Sequence, residues 1–278
     1  MMRKIIAVHS DTHGGCRVGL LNPATILYYE DDNGNLSPYH PKLNESQSAL
    51  WKYYSDDIEQ VKKFAGDDEI LLIHNGDMTH GKKYARQLVS TRDADQIMIA
   101  AENLRPWYAL PNLKHVRIVA GTGAHNFEEN SAEIMIAQMM TTEKQAVDTK
   151  VIRHGLIEFG GVKVDCAHHG PFPGSRDWLR GNVAMFYLRD MLYADSTVDL
   201  VLRSHYHQRV KVMLDWHGAT KTLMITPSYC MLDDHALQAT RSAATSDIGM
   251  YAYEIIDGKL HDILECVHHI DLRAYERI

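Results

Sequence analysis

Five apolar runs in this chain each break directly into a polar turn carrying aspartate or histidine. Residues 3–8 run into His9-Ser10-Asp11-Thr12-His13-Gly14-Gly15, and residues 69–73 into His74-Asn75-Gly76-Asp77. Residues 116–120 lead to Gly121-Thr122-Gly123-Ala124-His125-Asn126, residues 162–167 to His168-His169, and residues 200–202 to Arg203-Ser204-His205-Tyr206-His207. A buried strand followed at once by a polar loop is where α/β folds place functional groups. The repetition restricts the chain to an α/β architecture in which several strand ends meet.

Asp11 and His13 are two residues apart, as are His205 and His207. In an extended segment that spacing puts both side chains on one face. Singly, each block has an ordinary structural reading: a lone histidine is a satisfied polar residue, and a Gly-Asp is a turn. Five blocks after five apolar runs are not explained that way. Aspartate and histidine without cysteine suit Mn, Fe or Zn rather than a thiolate zinc site. The ligand supply exceeds one ion's need, which points to two.

The blocks, in this order, resemble the calcineurin-like metallophosphoesterase superfamily, whose pattern is D-x-H, G-D, G-N-H-D/E, H and G-H-x-H. Asp11 and His13 match the first, Gly76-Asp77 the second, His168 or His169 the fourth, and His205 with His207 the last. Of the two adjacent histidines, His168 is favoured because an apolar strand leads straight into it. The resemblance covers residues 3–230, including a proline-containing turn at Thr226-Pro227-Ser228. Two departures stand out. Gly121-Thr122-Gly123-Ala124-His125-Asn126 lacks the family's asparagine, leaving Thr122, Asn126 or water in its place, and Ser204 replaces the glycine before H-x-H.

The resemblance implies an α/β fold: a four-layer αββα sandwich with two central mixed β-sheets flanked by helices. It implies two divalent metal ions, Mn first, with Fe, Zn, Ni or Mg as alternatives. One ion takes Asp11, His13, Asp77 and His207, the other Asp77, His168 and His205, so that Asp77 bridges. The implied activity is phosphoester hydrolysis, with a lean to diesters, by a metal-bridging hydroxide. His125 serves as general acid or phosphate ligand. Arg17 and His80 are candidate substrate contacts, and Arg176, Trp178 and Arg180 mix cations with an aromatic. The substrate is a phosphoester, with nucleotides and nucleic acid among the candidates. A nuclease of the same superfamily and a non-catalytic metal-binding scaffold are the alternatives.

The 278 residues are read as a single domain, with an irregular, pocket-bordering insertion at 16–45 and a hairpin at Asn33-Gly34. Helices are predicted over 46–65, over 84–105 closed by Pro106, over 130–142 and near 183–193. Gly160-Gly161 and Asp257-Gly258 signal further hairpins. No apolar run is long enough to span a bilayer, and no cysteine pair is spaced as C-x-x-C, so the expectation is a cytoplasmic protein with reduced thiols and no membrane partner. A net charge of −7 argues against broad nucleic-acid binding but not against a local cationic pocket.

Overall fold

A computed structural model describes residues 3–83, 85–125, 127, 131–172, 177–232, 244–273 and 276–277. Its first sheet contains β1 (Arg3–His9), β4 (Glu69–His74), β5 (Leu113–Val119), β6 (Asp148–Ile152), β12 (Thr245–Ile256) and β13 (Lys259–Asp271), in the order β13-β12-β1-β4-β5-β6. Strands β1, β4, β5 and β6 are mutually parallel, while β12 runs antiparallel to both neighbours. The second sheet orders β7 (His154–Phe159), β8 (Val162–Ala167), β9 (Leu200–Arg203), β10 (Val210–Trp216) and β11 (Ala219–Ile225) as β10-β11-β9-β8-β7. Here β8, β9 and β11 are parallel, with antiparallel β7 and β10 at the edges. Both sheets are therefore mixed.

Alternation along the strands builds the layers. Ile6, Val8, Leu71 and Ile73 face Val164, Leu200, Leu202 and Met224 in the core between the sheets. The intervening Ile5, Ala7, Ile70 and Leu72 pack against helices α1 (Glu45–Ala65), α2 (Asp93–Tyr108) and α3 (Ser131–Glu143). On the far side, Val201, Leu223 and Ile225 are covered by α4 (Asp177–Ala194) through Ala184, Leu188 and Leu192. Strands buried on both faces read as continuous apolar runs. The result is the four-layer αββα sandwich. Among the described residues, no helix is long and apolar enough to cross a membrane.

The helix predicted over 84–105 starts later and ends later. Residues 85–87 form one 3₁₀ turn, and α2 runs from Asp93 to Tyr108 with Pro106 inside it. The missing stretch spends its backbone polar groups elsewhere: the Arg17 amide donates to the Gln87 carbonyl, and the Val89 amide to the Gly15 carbonyl. Pro106 cannot donate to the Glu102 carbonyl four residues back. Asn22 Nδ2 supplies that bond instead, at 2.8 Å, so the proline sits in the last turn without ending the helix. Helix α1 begins at a capping box between Asn44 and Gln47. Within 16–45, β2 (Leu27–Glu30) and β3 (Leu36–Tyr39) pair as an antiparallel arm around Asn33-Gly34.

Candidate metal centre

The ends of β1, β4, β5, β8 and β9 meet at one edge of the sandwich. Among the described residues, three sets of ligand atoms there are close enough to hold a metal ion, and two of them contain a carboxylate: Asp11, His13 and His207, and Asp77, His168 and His205. Five of these six residues, all but His168, have φ between 43° and 75°, the left-handed region. That region is unfavourable for residues other than glycine, and such backbone persists at sites where the surroundings impose it. The conformation also corrects the strand reading of His205 and His207. Strand β9 stops at Arg203, and the Tyr206 amide donates to the Ser204 carbonyl at 2.9 Å across a tight γ-turn centred on His205. The two rings are aimed by a turn, not by a pleat.

Close approach of glycine backbone makes room for the ligands. A Cβ on Gly76, which has φ +103°, would lie 2.2 Å from His168 Nδ1. One on Gly121 would lie 2.2 Å from Asp77 Oδ1. His168 is buried, and its Nδ1 donates to the Asn75 carbonyl at 2.7 Å. That bond leaves the Nε2 lone pair facing the cluster. His125 is set the same way, its Nδ1 donating to the His80 carbonyl at 2.7 Å and its Nε2 lying 4.0 Å from Asp77 Oδ2.

Distances within the cluster are short, yet several of its buried atoms are unbonded. Asp11 Oδ1 lies 3.3 Å from His207 Nε2, 3.8 Å from His13 Nε2 and 4.0 Å from His168 Nε2. It accepts no hydrogen bond, although it is fully buried. His168 Nε2 sits 3.0 Å from Asp77 Oδ2 but off the hydrogen-bonding line, and it too has no hydrogen-bond partner. Orphaned buried acceptors are costly and rare. Lone pairs that converge on a common space rather than on one another suit a cation between them. The residues present therefore fit metal ions. By distance, the oxygen reaching imidazoles of both sets is Asp11 Oδ1, whereas Asp77 groups with His168 and His205.

The charges confirm how tightly the groups interact. Burial works to raise the Asp11 carboxyl, but His207, His13 and His168 outweigh it and hold it well below the usual carboxylate range. Asp77 is held low in the same way, chiefly by His168. Burial would depress His168, yet Asp77 and Asp11 raise it to about 9. Burial dominates for His13, lowered to about 3, and for His205, lowered to about 4, where His168 and His169 add to the effect. Neutral imidazole is the form that binds metal.

Thr122, which follows Gly121, makes two contacts to Asp77. Its amide donates to Oδ1 at 2.6 Å and its hydroxyl to Oδ2 at 3.2 Å. The same hydroxyl is 3.1 Å from His205 Nδ1. Asn126, the other candidate, lies outside the described residues, as do Arg176 and the Trp178 side chain. His169 is exposed, its ring 4.4 Å from that of His205. His80 is buried behind His13, with their Nδ1 atoms 3.4 Å apart, and it joins His13 and His125 in a third set of close ligand atoms. Arg17 is exposed, and its backbone, not its guanidinium, makes its hydrogen bonds. Arg180, on α4, is half-buried.

A chain of hydroxyls under the ligands escaped the sequence reading. Asn75 Nδ2 donates to Ser204 Oγ at 2.6 Å, Ser204 Oγ meets Thr226 Oγ1 at 2.8 Å, and Thr226 Oγ1 meets Ser10 Oγ at 2.7 Å. Ser10 Oγ then donates to Asp11 Oδ2 at 2.5 Å. Ser204, which looks like a neutral replacement for glycine, is thus part of the support. The available signals were that Ser10, Asn75 and Ser204 adjoin ligand blocks and that Thr226 opens the proline-containing turn.

A four-layer sandwich whose Asp and His blocks converge at one edge is the arrangement that the resemblance to the calcineurin-like metallophosphoesterases implied. No family model matches the chain, and no curated protein matches it. Among solved structures it is similar to wild-type Vps29 from Entamoeba histolytica complexed with Zn²⁺, at 12% identity and TM-score 0.33, over 97% of this chain and 99% of that one. It is also similar to the Thermus thermophilus sulfate thiohydrolase SoxB in complex with glycerol, at 9% identity and TM-score 0.40, over 98% of this chain and 57% of that one. Likenesses this distant transfer no function, so the functional reading rests on the chain's own residues.

Proposed function

We propose that the protein is a metal-dependent phosphoesterase, with a preference for phosphodiesters, working in the cytoplasm. The observation that carries the reading is the pair of adjoining ligand sets beside the fully buried Asp11 Oδ1, which accepts no hydrogen bond. Asp11, His13 and His207 would hold one divalent ion and Asp77, His168 and His205 the other, with Mn the first choice. When bound, such ions lower the pKa of water and neutralise charge gathering on a phosphoryl group. The protein's own groups do the rest. His168 and His125 are oriented by backbone carbonyls, which fixes the tautomer that points Nε2 into the site. Thr122 holds both Asp77 oxygens in place. His125 Nε2, 4.0 Å from Asp77, is placed to bind the phosphate or hand a proton to the leaving oxygen.

Elemental analysis of the purified protein, together with hydrolysis of bis(p-nitrophenyl) phosphate and p-nitrophenyl phosphate in added Mn, tests the reading. We expect two ions per chain and faster turnover of the diester. Bound metal with no turnover of either ester would instead favour a metal-binding scaffold, and absence of bound metal would remove the basis of the proposal.

A further inference from the structure

We propose that the outer face of α4 pairs with the same face of a second copy of this chain, the two helices running antiparallel about a two-fold axis between Arg189 and Asp190. The inference stands apart from the phosphoesterase reading. Helix α4 buries one side against the second sheet through Ala184, Leu188 and Leu192. Phe186, Arg189, Asp190 and Tyr193 are spaced i, i+3, i+4 and i+7, which puts all four on the opposite side. A helix that covers a sheet with one side ordinarily turns polar groups outward. Here Phe186 is 64% exposed and Tyr193 78%, the two most exposed large apolar or aromatic side chains among the described residues. The Tyr193 ring stands edge-on to Trp216, with centroids 5.0 Å apart.

The charges between the two rings choose the occupant. Arg189 and Asp190 are exposed, and among the described residues neither side chain makes a hydrogen bond or an ion pair. A two-fold interface presents one patch from both sides, so the patch must complement itself. With the axis between residues 189 and 190, Arg189 of each copy faces Asp190 of the other, and Phe186 of each faces Tyr193 of the other. Two ion pairs and two aromatic contacts then form at once. Centring the axis on Phe186 instead would set Arg189 against Val183 and Asp190 against Asn182, so the charges also fix the register. A helix face built for a lipid surface is rich in lysine and arginine. Here Arg189 is countered by Asp190, in a chain of net charge −7. One helix face falls short of the about 800 Å² per partner of a standard interface, so the pairing is reversible. Helix α4 is the crossover between the parallel neighbours β8 and β9, and it starts beyond the His168-His169 block. Its C-terminal half therefore lies at the end of the sheet away from the ligands, and pairing leaves the metal centre open.

Sedimentation equilibrium of the full chain, from about 1 to 100 μM, reads the pairing directly. The wild-type mass should climb from 31.6 kDa toward twice that value. Phe186→Ala should weaken association by about 10-fold or more. Arg189→Glu and Asp190→Lys should each hold the protein at the mass of one chain, because like charges then meet twice. An equimolar mixture of these two variants should regain the wild-type behaviour, because two negative groups on one chain then meet two positive groups on the other. The R189E/D190K double variant should pair as the wild type does. Recovery in the mixture also shows that both single variants are folded, and unaltered thermal melting shows the same for Phe186→Ala. A wild type that keeps the mass of one chain up to about 100 μM would overturn the proposal. So would single-charge variants that pair as tightly as the wild type, or a mixture in which no pairing returns.

Discussion

Of two buried carboxylate–histidine clusters among the described residues, one where the two sheets meet and one between α1 and β13, only the second is complete in itself. Asp57, inside α1, accepts from Tyr229 Oη at 2.6 Å and from His268 Nε2 at 2.9 and 3.0 Å. Its backbone is helical, and the Tyr53 ring stacks on His268 at 4.2 Å. Asp11 and Asp77 are equally buried among imidazoles, yet their backbones are left-handed, and Asp11 Oδ1 accepts no hydrogen bond. A satisfied polar network on regular backbone ties α1 to β13. An incompletely bonded one on strained backbone is an arrangement that a cation could complete. The clusters share a foundation: Tyr229 donates its amide to the Asp11 carbonyl, and its ring packs edge-on against Tyr54 at 4.8 Å.

Substitutions on the two sides should have opposite consequences. Asp77→Asn should cut ester hydrolysis by more than ~1,000-fold, beyond the cost of losing one oriented donor. The same variant, melted in EDTA above pH 9, where His168 has lost its charge, should be no less stable than wild type, because a buried charge without a charged partner has gone. A large loss of stability there would mean that Asp77 is structural, and the contrast would break. His125→Ala should cost about 100- to 10,000-fold on esters with poor leaving groups and less on p-nitrophenyl esters. Equal activity of variant and wild type on poor leaving groups would remove the proton-donor role.

Asp57→Ala should behave in the reverse manner, losing about 3–5 kcal/mol in urea unfolding while retaining its metal content per folded molecule. A variant that also lost metal would show that the two clusters are one unit. The pH dependence sharpens the contrast further. In metal-free protein, His168 is raised from 6.5 to about 9. Its contribution is therefore fully present below pH 6.5 and lost as pH rises through about 9, a change of roughly 3 kcal/mol at most. The carboxylates Asp11 and Asp77 are depressed, so their contribution is lost only as pH falls through the acid range. Metal needs neutral imidazole, so added Mn should stabilise more as pH rises. Thermal melting with and without Mn across this range checks the sign, and His168→Gln should abolish the alkaline loss. The smallest expected effect is that of Thr122→Val, which keeps the amide bond to Asp77 but removes the hydroxyl, at a cost of about 10-fold in metal affinity.

Much of the framework could be read along the chain. The buried strands announce themselves as apolar runs, and Gly160-Gly161 and Asp257-Gly258 turn their hairpins with positive φ at all four positions. The start of α2 could not be read, because residues 85–92 have adequate helical periodicity and are drawn away by long-range bonds to Gly15 and Arg17. The conformation of His205 and His207 was hidden for a similar reason. Nothing local in Ser204-His205-Tyr206-His207 requires left-handed backbone; the imposition comes from Asp11, whose Oδ2 accepts the His205 amide at 3.3 Å.

The sequence by itself determined which chemical groups end each strand and in what order, because apolar runs and the turns that stop them are local properties of the chain. Only the tertiary structure decided that His13 and His207, 194 residues apart, face each other at 3.1 Å. It alone also separated the orphaned Asp11 from the fully bonded Asp57. The physical reason is that a side chain's hydrogen-bond partners here come from other strands, so whether a buried carboxylate is satisfied is a property of the assembled sheets and not of any segment within them.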